Sequence, residues 1–223
     1  MNRPLGLASI RAVIFDFDGT LARLNIDFSA MRSSVRSLMT AYRVPEAASA
    51  ALPVLEMIDA AEGYLRESEP DQAGSFRSEA MERVATLEIE AAGQAALLDG
   101  TRELLTDLAG RSIRTGVVTR NCRVAVLKVF PDITDFCQAF VSRDDTDKVK
   151  PHPSHLHAAL RVLGALPAES VMVGDHPLDI LLGHKAGTYT IGVLTGHSGR
   201  QELDSAYADM VIDKATDIIN LIF

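Results

Sequence analysis

From residue 97 onward the chain alternates short β-rich runs with amphipathic segments, and no other feature of the sequence restricts the fold as much. Helical spacing over Thr101–Gly110 leads to a strand at Ile113–Thr119, a helix at about 121–130 and a short strand at 139–142. A loop of Asp, Lys and Pro then precedes a helix at about 154–163. The strand Ser170–Gly174, a helix at about 178–186, the strand Tyr189–Val193 and a last strand at Met210–Ile212 complete the series. Parallel neighbours need a crossover and a helix supplies it, so this alternation predicts an α/β fold, a doubly wound parallel sheet.

One more strand belongs to it. Ala12-Val-Ile-Phe15 is a continuous apolar run that ends in Asp16-Phe-Asp18-Gly19-Thr20, as expected of a strand buried on both faces. Residues 22–96 differ in texture. Met31, Val35, Leu38, Met39 and Tyr42 recur at helical spacing; Leu52, Leu55 and Ile58 do so after Pro53; Phe76, Met81, Val84 and Leu87 form a third stripe. No strand signal appears there. The expected organisation is a core domain of residues 1–21 and 97–223, with a helical domain of residues 22–96 inserted after the first strand.

Composition bounds the partners. With 47% apolar and 23% charged residues, the chain has enough sequence for a core without disulfides or a structural metal. A net charge of −8 argues against nucleic acid or an anionic membrane as partner. Cys122 and Cys137 form no C-x-x-C pair, which disfavours a zinc knuckle or redox motif and suits a reducing compartment. Met1–Ser9 has one Arg and no long apolar stretch, so it does not read as a signal peptide, and no apolar run approaches the roughly 20 residues of a membrane span. A cytoplasmic protein, monomer or homodimer, is the expectation.

In a doubly wound sheet the ligand lies beyond the carboxyl ends of the strands. The first strand ends in Asp16 and Asp18, carboxylates two residues apart that extended backbone can point the same way, and Gly19 then permits a sharp turn. The second ends in Thr119, followed by Arg120 and Asn121 at a helix start; the loop after the third carries Lys148 and Lys150; the fourth runs Gly174-Asp175-His176-Pro177-Leu178-Asp179. Each has a plain structural explanation taken singly: a turn aspartate, a helix cap, a solvated loop, another cap. Together they gather carboxylates, a hydroxyl and a lysine where such a sheet places its site. Clustered carboxylates repel unless a cation joins them, and a hard ion such as Mg²⁺ takes oxygen ligands.

These residues resemble the motifs of the haloacid dehalogenase superfamily of phosphohydrolases, in particular its phosphoglycolate-phosphatase-like members. Asp16-Phe-Asp18-Gly19-Thr20-Leu21, Thr119-Arg120-Asn121, Lys150-Pro151-His152-Pro153 and Gly174-Asp175-His176-Pro177-Leu178-Asp179 match in order, and Ile191-Gly-Val-Leu-Thr-Gly196 also looks familial. The resemblance implies a Rossmann-like core and makes the helical insertion the family's cap, which closes over the site and selects the substrate. It implies Asp16 as the nucleophile that takes the phosphoryl group, and Asp18 as the acid and base that serves the leaving oxygen and then the water. Dehalogenase members lack an acid at the position of Asp18, so its presence favours phosphoryl transfer. Thr119, with Arg120 and Asn121 beside it, is implied to bind the substrate's phosphoryl oxygens, and Lys150, the lysine that precedes the proline, to neutralise their charge. Mg²⁺ is implied on Asp16, Asp175 and the main-chain carbonyl of Asp18, with Asp179 behind them. The implied activity is a Mg²⁺-dependent phosphatase on a small phosphorylated metabolite, phosphoglycolate among the candidates. A phosphomutase of the same superfamily and a non-catalytic, ligand-binding relative are the alternatives.

For specificity, Arg23 and Asn25 fall in the hinge, and Arg32, Arg36 and Arg43 lie roughly on one face of the first cap helix, where an arginine could fork a carboxylate. After Leu21 the chain continues Ala22-Arg23-Leu24 where many relatives carry an acidic residue and a serine, which separates substrate identity from chemistry. A phosphonatase needs a cap lysine, and segment 22–96 has none. His152, His155 and His157 cluster in sequence, but 155 and 157 face different ways on a helix, so they do not read as a metal site. Ser198, three residues before Gln201, reads as a helix-capping box.

Overall fold

A continuous apolar run has two faces to bury, and in the computed structural model, which describes residues 10–45 and 52–222, β1 (Ala12–Phe15) is buried at all four positions. It lies inside a six-stranded parallel sheet. The chain passes through β2 (Ala22–Arg23), then α1 (Phe28–Ala41), α2 (Val54–Ser68) and α3 (Pro70–Ala92), and returns by β3 (Ala96–Leu97). Then follow α4 (Thr101–Gly110), β4 (Arg114–Val118), α5 (Arg123–Val129), α6 (Ile133–Phe136), β5 (Ala139–Val141), α7 (Pro153–Leu163), β6 (Ser170–Gly174), α8 (Pro177–Ala186), β7 (Tyr189–Val193), α9 (Arg200–Ser205), β8 (Met210–Ile212) and α10 (Ile219–Ile222). The segment Met1–Ser9 lies outside the described residues.

The strand order is β5-β4-β1-β6-β7-β8. After β1 the chain fills one side, with β4 and then β5, and crosses to the other with β6. That reversal leaves a crevice at the carboxyl end of β1. The register sets Phe15 of β1 opposite Val117 of β4 and Val173 of β6, so the residues that follow these three strands emerge side by side. Beneath them one face of the sheet (Ala12, Ile14, Val118, Met172) packs on Leu156, Leu160 and Leu163 of α7 and Leu182 of α8. Burying a side chain of that size contributes roughly 1.5–3 kcal/mol.

The chain divides into two compact units, Met1–Leu24 with Gln94–Phe223, and Asn25–Gly93. The second is a three-helix unit held by Val35, Leu38, Met57, Ile58, Leu65, Phe76 and Val84, all buried. Tyr42 stands edge-on to Phe76 at 5.4 Å between centroids and donates a hydrogen bond to Glu79.

The sequence expectations are modified at four places. Along α2 the buried face runs through Val54, Met57, Ile58, Ala61 and Leu65; Leu52 and Leu55 stay partly exposed. In α3 Ala73, Phe76, Ala80, Val84 and Ala92 form the buried stripe, with Met81 and Leu87 at its margin. Small alanines permit close packing but carry little hydrophobic signal. Two strands border the insertion where none was expected: β2 pairs antiparallel with β3 over two residues each, too short for any periodicity. Finally, α9 begins after Gly199, whose N–H donates to Glu202 at 2.8 Å, so Ser198 is not its cap.

Candidate active site

Three strand ends and one helix start meet at the crevice. Asp16 follows β1, and its N–H continues the ladder to Val173 of β6 at 2.8 Å. Thr119 follows β4 and is tied in the same way to Val141 of β5 at 3.1 Å. Asp175 follows β6, and Asp179 sits in the first turn of α8, where its carboxylate accepts the N–H of His176 at 3.2 Å. The side chain of Asp179 is therefore a structural part of the helix start as well as a charge in the crevice. His176, not Asp175, caps α8, its ring accepting the Leu178 N–H at 3.1 Å.

Lys150 crosses the crevice at the level of these acids. Its Nζ stands 2.6 Å from Asp16 Oδ1 and 2.7 Å from Asp179 Oδ1, and its side chain is 3% exposed. Asp16 Oδ1 also accepts the Phe17 N–H at 2.6 Å. One carboxylate oxygen from each of Asp16, Asp175 and Asp179 lies within 4.8 Å of the others. With one lysine among three carboxylates, full ionisation leaves a surplus of two negative charges in a buried space. The strain shows in the acidities. Burial pushes Asp16 up to about 7, Lys150 pulling it down and Asp179 pushing it further up. Asp175 is pushed to about 6, first by burial and then by the charge of Asp16. Burial also raises Asp179, against Lys150. Burial alone lowers the pKa of Lys150, but Asp16 and Asp179 outweigh it and the net shift is upward. A divalent hard cation fits this donor set: it takes carboxylate oxygens and brings the two positive charges that are missing.

Asp18 points elsewhere. Its Oδ1 accepts the Leu24 N–H at 2.8 Å, and its pKa is raised by burial, with the Leu24 N–H and His197 opposing. Gly19 then turns with φ 82°, a left-handed conformation natural to glycine, and a Cβ there would stand 2.5 Å from Asp175 Oδ2. The turn is closed by the Gly19 N–H to the Ala22 carbonyl at 2.7 Å. On the other side of Asp175, a Cβ at Gly196 would come within 1.8 Å of the same oxygen. Two glycines thus leave room for one carboxylate.

Thr119, buried, accepts the Asn121 N–H at 3.2 Å and opens the turn into α5. Asn121 is buried and its side-chain Nδ2 has no hydrogen-bond partner. Arg120 directs Nη1 to the Lys150 carbonyl at 3.1 Å, so its guanidinium braces the lysine loop. The structure thus brings Asp16, Lys150, Asp175 and Asp179 into one cluster. It leaves the Asp18 side chain outside the three-carboxylate group, held by the end of β2. Of the three clustered histidines, His155 is buried while His152 and His157 are exposed.

Several contributors have no role in the sequence reading, though Thr20 and Thr195 lie within the quoted motifs. The His197 N–H donates to Asp175 Oδ2 at 3.2 Å, Thr20 Oγ1 reaches Asp175 Oδ1 at 3.4 Å, and Thr195 Oγ1 donates to the Gly19 carbonyl at 2.6 Å. Arg23 adds a contact to the Thr195 carbonyl at 3.4 Å. In the pair that looked familial, Thr195 thus ties the Gly19 turn and Gly196 leaves room for Asp175.

The fold thus sets a lysine-bridged aspartate cluster at the switch point of a doubly wound sheet, where such folds bind their ligands. The family model for haloacid dehalogenase-like hydrolases matches residues 13–193, and the chain belongs to that family. Among curated relatives, the pyrophosphatase PpaX of Bacillus cereus (strain AH820) is 37% identical over 123 residues. The match covers 54% of this chain and 56% of that protein, so it spans little more than half of the relative's length. Among solved structures, a predicted phosphoglycolate phosphatase from Haemophilus somnus 129PT superposes with TM-score 0.66 at 19% identity, covering 98% of this chain and 100% of that one. A hydrolase from Pseudomonas syringae gives TM-score 0.66 at 22% identity over 96% of this chain and 97% of that one. At these identities the likeness speaks for the fold. No helix among the described residues is long and apolar enough to cross a membrane.

Proposed function

We propose that the protein is a Mg²⁺-dependent phosphohydrolase acting on a small phosphorylated metabolite, with Asp16 as nucleophile and residues 22–96 as its cap domain. The observation that carries this reading is the position of the Lys150 ammonium, 2.6 Å from Asp16 and 2.7 Å from Asp179, beside a third carboxylate. Asp16, Asp175 and the Asp18 carbonyl would hold the ion, with Asp179 behind them. A bound Mg²⁺ supplies charge that keeps Asp16 ionised and screens the phosphoryl oxygens.

Asp16 attacks phosphorus, a P–O bond to its carboxylate forms, and the bond to the leaving oxygen breaks. Asp18 gives that oxygen a proton. Water then attacks the aspartyl-phosphate, Asp18 takes the proton back, and inorganic phosphate departs with Asp16 regenerated. Lys150 offsets the charge that gathers between Asp16 and the transferring group. Thr119 and the amides behind it receive the phosphoryl oxygens, with Asn121 Nδ2 as a further donor.

The relatives named as pyrophosphatases make a phosphoanhydride a candidate substrate beside phosphoglycolate. The test is phosphate release from a panel of monoesters and pyrophosphate, with Mg²⁺ and with chelator. Metal-dependent release that Asp16→Asn lowers on the order of 10³-fold or more, with the fold intact, supports the reading. Silence from folded, Mg²⁺-loaded protein overturns it. Transfer of the phosphoryl group to a sugar instead of water points to a mutase.

A further inference from the structure

We propose that His155 is a positioning residue for Lys150: its ring holds the lysine's peptide so that the ammonium reaches Asp16 and Asp179. The proposal rests on the catalytic reading of Lys150 given above. A lysine side chain has a flexible four-carbon stem, so aiming its charge at two fixed oxygens requires that its backbone be fixed first. The Lys150 peptide is held from both ends. Its N–H donates to His155 Nδ1 at 3.1 Å, and its carbonyl accepts from Arg120 Nη1 at 3.1 Å. Behind that, Arg143 Nη1 donates to the Arg120 carbonyl at 3.0 Å.

The partners of His155 fix its tautomer. Nε2 lies 3.3 Å from the Val141 carbonyl, which can only accept, so Nε2 carries the proton. The Lys150 N–H can only donate, so Nδ1 presents its lone pair. The ring therefore spans from the end of β5 to the lysine, with both nitrogens engaged. It is fully buried on the inner face of α7, beside Leu156, Ala159, Leu160 and Leu163, where packing alone calls for an aliphatic side chain. The groups that face it carry positive charge, Lys150 and Arg120, and with burial as the largest cause they push its pKa down to about 4. A neutral ring is what the acceptor role requires.

Three variants separate positioning from packing. In His155→Asn the side-chain oxygen can take the place of Nδ1. In His155→Gln the amide extends to the place of Nε2 and leaves the Lys150 N–H without its acceptor. His155→Leu removes both. Two readouts are taken on folded protein: acylation of Lys150 by acetic anhydride, followed by mass spectrometry against Lys128 and Lys148 as internal references, and kcat and KM for phosphate release. For His155→Gln and His155→Leu the expectation is faster acylation at Lys150 alone, and a kcat lower by on the order of 10²-fold with KM within about twofold. His155→Asn is expected to stay near wild type in both. Equal behaviour of Asn and Gln, or wild-type values for Gln, overturns the proposal. If wild type releases no phosphate from any panel member, the phosphatase reading falls, while the acylation comparison, which needs neither substrate nor metal, still decides whether His155 holds Lys150.

Discussion

Lys150 and Arg77 are each a single cation set between two carboxylates, at nearly the same distances. Lys150 lies 2.6 and 2.7 Å from Asp16 and Asp179; Arg77 of the helical unit lies 2.7 and 2.8 Å from Asp59 and Glu62. Their surroundings differ. The lysine side chain is 3% exposed and the arginine 40%. In the second trio water reaches Arg77 and Asp59, and the buried Glu62 has a further partner in Arg66 at 2.7 Å, so Arg77 adds little free energy. In the first trio Lys150 is buried as well and is the one cation for both acids among the described residues. The same contact is thus a partly solvated tie in one unit and a fully buried charge cluster in the other, and what separates them is the burial of the cation itself.

The comparison can be broken most directly by removing each cation. Lys150→Met leaves Asp16 and Asp179 buried without their partner and is expected to destabilise the metal-free protein by about 3–5 kcal/mol in urea unfolding at pH 8. Arg77→Met, with the same side chain introduced, is expected to cost less than about 1 kcal/mol. Equal losses would mean that burial does not set the difference.

A sharper probe leaves every charge in place. Gly196→Ala puts a methyl group where Asp175 Oδ2 lies, 1.8 Å from the ideal Cβ, so the carboxylate must move. Phosphate release is expected to fall about 10²-fold with little change in unfolding, because a shift of about 1 Å at the reacting centre is enough for that loss. Wild-type rates would show that Asp175 needs no fixed position.

The smallest effect concerns protons. Burial pushes Asp16 up to about 7 and Asp175 up to about 6, so from the ordinary carboxylate range up to those values the folded metal-free protein binds more protons than the unfolded chain. The penalty of burying these charges is fully present above pH 7 and shrinks as pH falls. A cation relieves the same penalty. The stabilisation given by Mg²⁺ in thermal unfolding is therefore expected to diminish by about 1–2 kcal/mol from pH 8 to pH 6. A pH-independent increment would mean that these acids are not the ones it relieves. The trio around Arg77 is expected to show no such coupling to the metal.

The sheet was legible because β1, β4, β6 and β7 are short β-rich runs that alternate with amphipathic helices, the pattern of a doubly wound parallel sheet. Asp16, Lys150, Asp175 and Asp179 could be picked out because they are side chains at strand or helix ends, in recognisable spacings. What escaped was mostly main chain. The amides of Leu24 and His197 hold Asp18 and Asp175, but any residue but proline carries such a donor, so nothing in the letters marks it. Arg120 was read as a substrate ligand from its place beside Thr119; its contact with the Lys150 carbonyl depends on how two loops from different strands approach. His155 was read only as one of three clustered histidines that do not make a metal site, because its partners, the Lys150 N–H and the Val141 carbonyl, are backbone groups too.

The register of β1 also has a temporal meaning. Its residues pair with 114–117 on one side and 170–173 on the other, so more than a hundred residues must be made before either neighbour exists. At about 5–20 residues per second of synthesis, Asp16 waits roughly 8–30 s for the strand that precedes Asp175. Closing loops of that length is slow compared with forming helices whose partners are near in sequence, and α1, α2 and α3 make such contacts within residues 25–93. During synthesis the helical unit has its partners at hand early, whereas the clustered carboxylates first meet when most of the polypeptide has left the ribosome. A nascent chain therefore carries its proposed nucleophile, Asp16, long before the other carboxylates of the cluster exist beside it.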